Sequence, residues 1–112
     1  MNDLKPLHGE LHLAAASWSP ECIEALQEIL LARVTNAHTR MAYARACAGF
    51  IQWSTEQSLA IDGIRPLHVA SYVRLLALRL APSSVVVHLT AIRRMYAWFV
   101  ERQLIAQNPA SS

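Results

Sequence analysis

A chain of 112 residues, 54% of them hydrophobic and only three of them glycine, has the material for one packed core and the wrong composition for disorder. Its net charge of +2 is unevenly placed: residues 1–35 set Lys5 and Arg33 against five acids, whereas residues 36–112 set eight arginines against Glu56, Asp62 and Glu101. No run approaches membrane-spanning length and the start is not a signal-type sequence, so a soluble intracellular chain is expected. In that reducing setting Cys22 and Cys47, each on an apolar helical face, read as small core hydrophobes.

Residues 1–18 read as a flexible lead-in, interrupted by Pro6 and Gly9, with Leu11 to Trp18 packing loosely on the body. Ser19-Pro20-Glu21 is a helix start: a capping serine, a proline at the first position and an acid in the first turn. The first helix then runs to about Arg33 with Ile23, Leu26, Leu30 and Val34 on one face. Asn36 or Thr39 caps a second helix that ends near Gln57. Tyr43, Ala46, Cys47, Phe50 and Ser54 form its inner stripe with Trp53 at the edge, and Met41, Arg45 and Gln52 point away.

The connection 58–65 turns at Asp62-Gly63 and tucks Leu59, Ile61 and Ile64 under the bundle. Pro66 opens a third helix whose buried face is Val69, Tyr72, Val73, Leu76 and Leu80, with Arg74 and Arg79 outward. Ala81-Pro82 breaks the chain, and Ser83 or Ser84 caps a fourth helix. The run Val85-Val86-Val87 favours strand locally, but the helical period that follows outweighs it. At ~100° per residue, Val85, Leu89, Ile92, Tyr96 and Phe99 fall on one core-facing stripe with His88 and Met95 at its margin. The opposite side carries Val87, Ala91, Arg94 and Trp98, methyl groups alternating with arginine. Leu104 and Ile105 dock as a last apolar knob, and Asn108-Pro109 ends the unit. The fold class is therefore all-α, an orthogonal or antiparallel four-helix bundle.

Residues able to do covalent chemistry are sparse. The five histidines, His8, His12, His38, His68 and His88, show no metal-binding spacing, there is no glycine-rich phosphate loop, and no serine sits in a nucleophile elbow. No metal and no cofactor is expected, and the chain reads as a binding module. Nine of its ten basic residues are arginine, whose fork suits phosphate and guanine edges. Residue types alone leave the ligand open between nucleic acid and another protein.

The order of signals resembles the N-terminal core-binding, SAM-like domain of tyrosine recombinases, the phage-integrase family. The matching pieces are His38-Thr39 with Tyr43, Phe50 and Trp53; then Pro66, Val69, Tyr72-Val73 and Leu76; then Ser84-Val85, His88-Leu89, Ile92-Arg93, Tyr96 and Trp98; and finally Asn108-Pro109. The resemblance implies half of a clamp around duplex DNA, with the second and fourth helices meeting the major groove. It also implies a metal-free catalytic domain C-terminal to this one, with a tyrosine nucleophile, and recombinase oligomers assembled on DNA in the cytoplasm at the nucleoid. On this view residues 19–110 are the DNA-binding domain of an excised or truncated recombinase, residues 111–112 begin the linker, and Tyr43, Tyr72 and Tyr96 are core residues.

The DNA-facing residues so implied are His38, Thr39, Arg40, Ala42 and Arg45 on the second helix, with His38 and Arg40 reaching phosphate. On the fourth they are Ser83, Ser84, Val87, His88, Ala91 and Arg94. Arg45 and Arg94 are expected to face one concavity. Some have plainer roles to fill: Thr39 as a helix cap, Arg93 as a solvated residue or an intramolecular partner, Trp98 half-buried against the first helix. Val86 and Val87 stand where base-reading polar groups would serve better, and the chain has one lysine, so binding is expected to be weak, non-specific and salt-dependent. The competing expectation is a helical protein-interaction module with no direct DNA contact, using Val86, Val87, Trp98 and the acidic first helix.

Overall fold

Ser19 lies in extended backbone and its hydroxyl accepts from the Cys22 amide at 3.3 Å, which supplies one of the donors that a helix start leaves unpaired. From this cap the computed structural model, which describes residues 18–111, builds four helices: α1 Pro20–Arg33, α2 Ala37–Glu56, α3 Pro66–Ala77 and α4 Pro82–Glu101, with a 3₁₀ turn at Ile61–Gly63 before α3. The all-α bundle is as expected. The loose packing expected of residues 11–17 lies outside the described residues. Trp18 corrects that expectation: it is 3% exposed and sits among Phe50, Tyr96 and Phe99 at ring-centroid distances of 6.2–6.4 Å.

That aromatic cluster is the centre of the core. Phe50 of α2 meets Tyr96 of α4 edge-on and Tyr72 of α3 at 5.2 Å, so three helices share one ring contact. The Trp18 Nε1 donates to Ser54 Oγ at 3.0 Å, and Ser54 in turn donates to the Ile51 carbonyl at 2.8 Å. The one fully buried hydroxyl on the inner face of α2 is thus satisfied twice. Gly49 lets Tyr72 come close, because a Cβ there would meet the Tyr72 hydroxyl at 3.0 Å.

Helices α2 and α4 make the most extensive helix pairing, with α1 against both and α3 against α4. Small side chains permit the close approach. Ala44, Ala46 and Cys47 on α2 are buried, as is Ala91 on α4, and the Cys47 thiol donates to the Ala91 carbonyl at 3.8 Å. Ala91 therefore belongs to the core and not to the outer face; its lack of bulk is what lets the two backbones close up. For the same reason the core stripe of α4 is Ala91, Ile92, Met95, Tyr96 and Phe99, while Val85 and Leu89 are only half-buried.

The chain breaks before Pro82 as expected: α3 ends at Ala77, and Pro82 occupies the first position of α4, where its missing N–H costs nothing. Two further expectations are corrected. Ala81 is the N-cap residue, so neither Ser83 nor Ser84 caps the helix. Leu80 lies past the end of α3 and is exposed, its amide bonded to the Leu76 carbonyl at 2.8 Å. Helices α2 and α4 end alike. Ser58 and Gln103 take left-handed φ values of 60° and 62°. The amides of Leu59 and Leu104 then reach back to Ser54 and Phe99, at 2.8 and 2.9 Å, closing Schellman caps without glycine. After the second cap, Asn108 and Ala110 are tied to α4: Arg93 Nε donates to the Ala110 carbonyl at 2.8 Å, and Asn108 Nδ2 donates to the Arg93 carbonyl at 3.1 Å.

Candidate nucleic-acid interface

Helix α4 carries its outward residues at a helical repeat. Ser83, Val87 and Arg94 are exposed and Thr90 half-exposed between them; at ~100° per residue the four lie within about 60° of one another. Thr90 is the member that sequence reasoning missed, although spacings of three and four residues from its neighbours would have found it. Val87 is 41% exposed, so it is not sealed in the core. Ser84 is half-buried at the edge of this row. The helix starts with no side-chain hydrogen bond to its first turn, which leaves amide donors and the positive end of the helix dipole toward solvent.

Arg94 is held by an aromatic face. Its guanidinium carbon lies 5.6 Å from the centre of the Tyr43 ring on α2, within cation–π range. Tyr43 is otherwise a core residue, and only the α2–α4 packing brings it beneath Arg94. That contact spans 51 positions and has no local sequence signal.

On α2, Asn36 is the cap: its Oδ1 accepts from the Thr39 amide at 3.0 Å. The capping role weighed for Thr39 is therefore filled, and its side chain is half-exposed. His38 and Arg45 are exposed on the outward side, two turns apart, with Ala42 half-exposed beside them. Arg40 is engaged elsewhere. Its NH1 donates to the Val34 carbonyl at 2.8 Å, pinning the α1–α2 corner, so it does not stand as an outward phosphate finger. His88 is also corrected, because it is half-buried, its Nδ1 is buried with no partner among the described residues, and burial lowers its pKa below 6.5. A neutral ring at the margin of the core does not join the outward row.

Arg94 thus lies over Tyr43, with Val87 exposed two turns before it on α4, whereas Arg45 is exposed on another side of α2. Arg45 follows Tyr43 by two residues, which is ~200° around α2, so the α2 residue that Arg94 meets is Tyr43 and not Arg45.

The charges are segregated by helix. Glu21, Glu24 and Glu28 stand on α1, while α2 and α4 contain no acid before their last residues, Glu56 and Glu101. Glu101 pairs with Arg33 at 2.8 Å, and Glu28 with Arg102 at 3.2 Å, which joins α1 to the end of α4 and keeps those acids away from the Ser83–Arg94 row. Trp98 is half-buried and packs against the core.

The described residues contain no group of three or more His, Cys, Asp or Glu residues able to hold a metal ion, and no helix long and apolar enough to cross a membrane. Burial pushes the Cys47 thiol up to about 12 and the Tyr72 hydroxyl likewise to about 12, and raises Tyr96 further. All three are protonated packing groups, not nucleophiles.

Compared with known protein families, residues 23–103 match the model of the phage integrase N-terminal SAM-like domain. No curated protein and no solved structure matches the chain.

Proposed function

The chain belongs to the phage integrase N-terminal SAM-like domain family, which ties it to site-specific recombination as a non-catalytic domain, and on that premise we propose that it is the part of a tyrosine recombinase that grips duplex DNA. The observation that carries the proposal is the acid-free outward row of α4, in which Arg94 is braced on Tyr43 and Val87 is exposed. An arginine immobilised on a ring loses less conformational freedom on meeting phosphate or guanine than a solvated one does. The methyl groups of Val87 suit the thymine methyl in a major groove.

In this reading Arg94, Thr90, Val87 and Ser83 lie along one groove, and the half-exposed Ser84 and the uncapped start of α4 meet the adjoining phosphates. Ser83 and Arg94 are 11 positions apart, about 16 Å along a helix, which spans roughly five base-pair steps. Thr39 and Ala42 line the edge of α2, while His38 and Arg45 contact backbone phosphates from its outward side. Catalysis then belongs to the rest of the integrase, which together with DNA is the partner of this domain. Clamp closure and recombinase assembly on DNA are parts of the same proposal.

The test is titration of a labelled mixed-sequence duplex with the 112-residue chain at about 50 and 200 mM salt. A steep loss of affinity with salt is expected, together with a slope reduced by about 2 in the Arg45→Glu, Arg94→Glu double variant. Salt-insensitive binding, or a double variant that binds like the parent, overturns it and favours a protein-interaction module without DNA contact.

A further inference from the structure

A second surface is left over once the DNA-facing row is assigned. Among the described residues every large exposed hydrophobic lies between positions 67 and 87. Leu67 and Leu78 are the extreme cases, at 72% and 84% exposed. At ~100° per residue, Leu67, Ser71, Arg74 and Leu78 share one face of α3 and its last turn, opposite the buried Val69, Tyr72 and Leu76. Alongside runs a groove of about 340 Å³ between α3 and α4, lined by Val69, Val73 and Leu89 together with Pro109 and Ala110. Val86, 63% exposed on α4, is one residue short of the DNA-facing row and ~100° from Val87, on another side of the helix.

The charges around this face select its occupant. From Gly63 to Val100 the sequence holds five arginines and no acid, and Arg65, Arg74 and Arg79 are exposed on or beside α3. A second copy docking through the same face would set these arginines against their own images with no acid between them, which an isologous interface cannot relieve. Duplex DNA offers phosphate to the arginines but nothing to leucines as exposed as these. A flat lipid surface does not fill a groove between two helices. What satisfies leucines, groove and arginines together is a helix with an apolar stripe at i, i+3 or i+4 and i+7, flanked by Asp or Glu.

We propose that the outer face of α3 and the groove beside it form a docking site for an acidic amphipathic helix from another protein. The site is independent of the DNA reading, because it uses none of the residues of the Ser83–Arg94 row.

The probe is a fluorescein-labelled, helix-stabilised peptide of about 16 residues with leucines at the helical spacing and glutamates on both flanks, read by anisotropy against the 112-residue chain. Saturable binding is expected, weakened at least about tenfold in the Leu67→Gln, Leu78→Gln double variant and in Arg74→Glu. The leucines are solvent-exposed, so circular dichroism and melting should match the parent, and a duplex should bind that double variant unchanged. The same peptide with lysine for glutamate is expected not to bind. Absence of binding by the acidic peptide, or equal binding by the parent and both variants, overturns the proposal. So does concentration-dependent dimerisation in sedimentation that the leucine variant abolishes, which assigns the face to a second copy. Capture by anionic vesicles that depends on the same leucines also overturns it, in favour of lipid.

Discussion

Arg93 Nε donates to the carbonyl of Ala110 at 2.8 Å, while Asn108 returns a bond from its side-chain amide to the carbonyl of Arg93 at 3.1 Å. Adjacent arginines on α4 thus divide their work: Arg94 lies over Tyr43 at the outward row, and Arg93 locks the C-terminal segment onto the bundle. Arg93→Ala removes a charge-assisted bond, and Asn108→Ala removes the reciprocal one; each is expected to cost about 1–2 kcal/mol. Faster hydrogen exchange at Ala110 and Ser111, with α2 unchanged, identifies the loss as local. Exchange at those amides equal to the parent contradicts a fixed exit.

Two buried hydroxyls of the core differ in their partners. Ser54 accepts from Trp18 and donates to Ile51, whereas the Tyr96 hydroxyl is buried with no partner among the described residues. Ser54→Ala leaves the Trp18 indole N–H unpaired and is expected to destabilise by about 1–3 kcal/mol in urea unfolding. Tyr96→Phe removes a group that gives up water for nothing and is expected to be neutral or to stabilise by about 1 kcal/mol. Equal losses in the two variants contradict this assignment.

Ser58 and Gln103 hold the left-handed positions of the two Schellman caps at φ 60° and 62°. A side chain there carries a steric penalty that glycine escapes, partly offset by the greater freedom of glycine when unfolded. Ser58→Gly and Gln103→Gly are each expected to stabilise by about 0.5–1 kcal/mol. Thermal melts that fall in both variants contradict the reading.

Much of this was legible in the sequence, and its limits follow from distance along the chain. The helix starts at Ser19 and Pro66, the inner stripe of α2 and the Asn108-Pro109 stop are set by neighbours within a few residues, so periodicity and capping chemistry locate them. Ala91 was misplaced because a helical wheel measures angle and not proximity: a small residue beside the core stripe becomes core when a second helix closes on it. Trp18 looked peripheral because its partners Ser54, Tyr96 and Phe99 lie far down the chain. In the candidate interface, Val87, Arg94 and Arg45 are exposed as expected, but Arg40 and His88 turn inward to long-range surroundings that spacing cannot show. Arg94 meets Tyr43 through the same kind of long-range packing.

His88 gives the fold a pH dependence of definite sign. Burial lowers its pKa below the ordinary 6.5, so the unfolded chain takes up this proton more readily. The contribution of His88 to stability is therefore present above about pH 6.5 and is lost as pH falls from there through the lowered folded value. Urea unfolding at pH 7.5 and 5.0 is expected to show lower stability at pH 5.0, with a smaller difference in His88→Gln. Cys47, held near 12 by burial, is expected to resist a thiol reagent at pH 8 until the chain unfolds.

The most direct test of DNA gripping is a two-dimensional amide spectrum of the labelled chain titrated with a duplex at low salt. Shifts are expected to concentrate on Ser83, Val87, Thr90 and Arg94 and on the start of α2, leaving Glu21–Glu28 of α1 and Leu67–Leu78 unmoved. Shifts confined to α1 or α3, or none at all while the fold is intact, contradict the account.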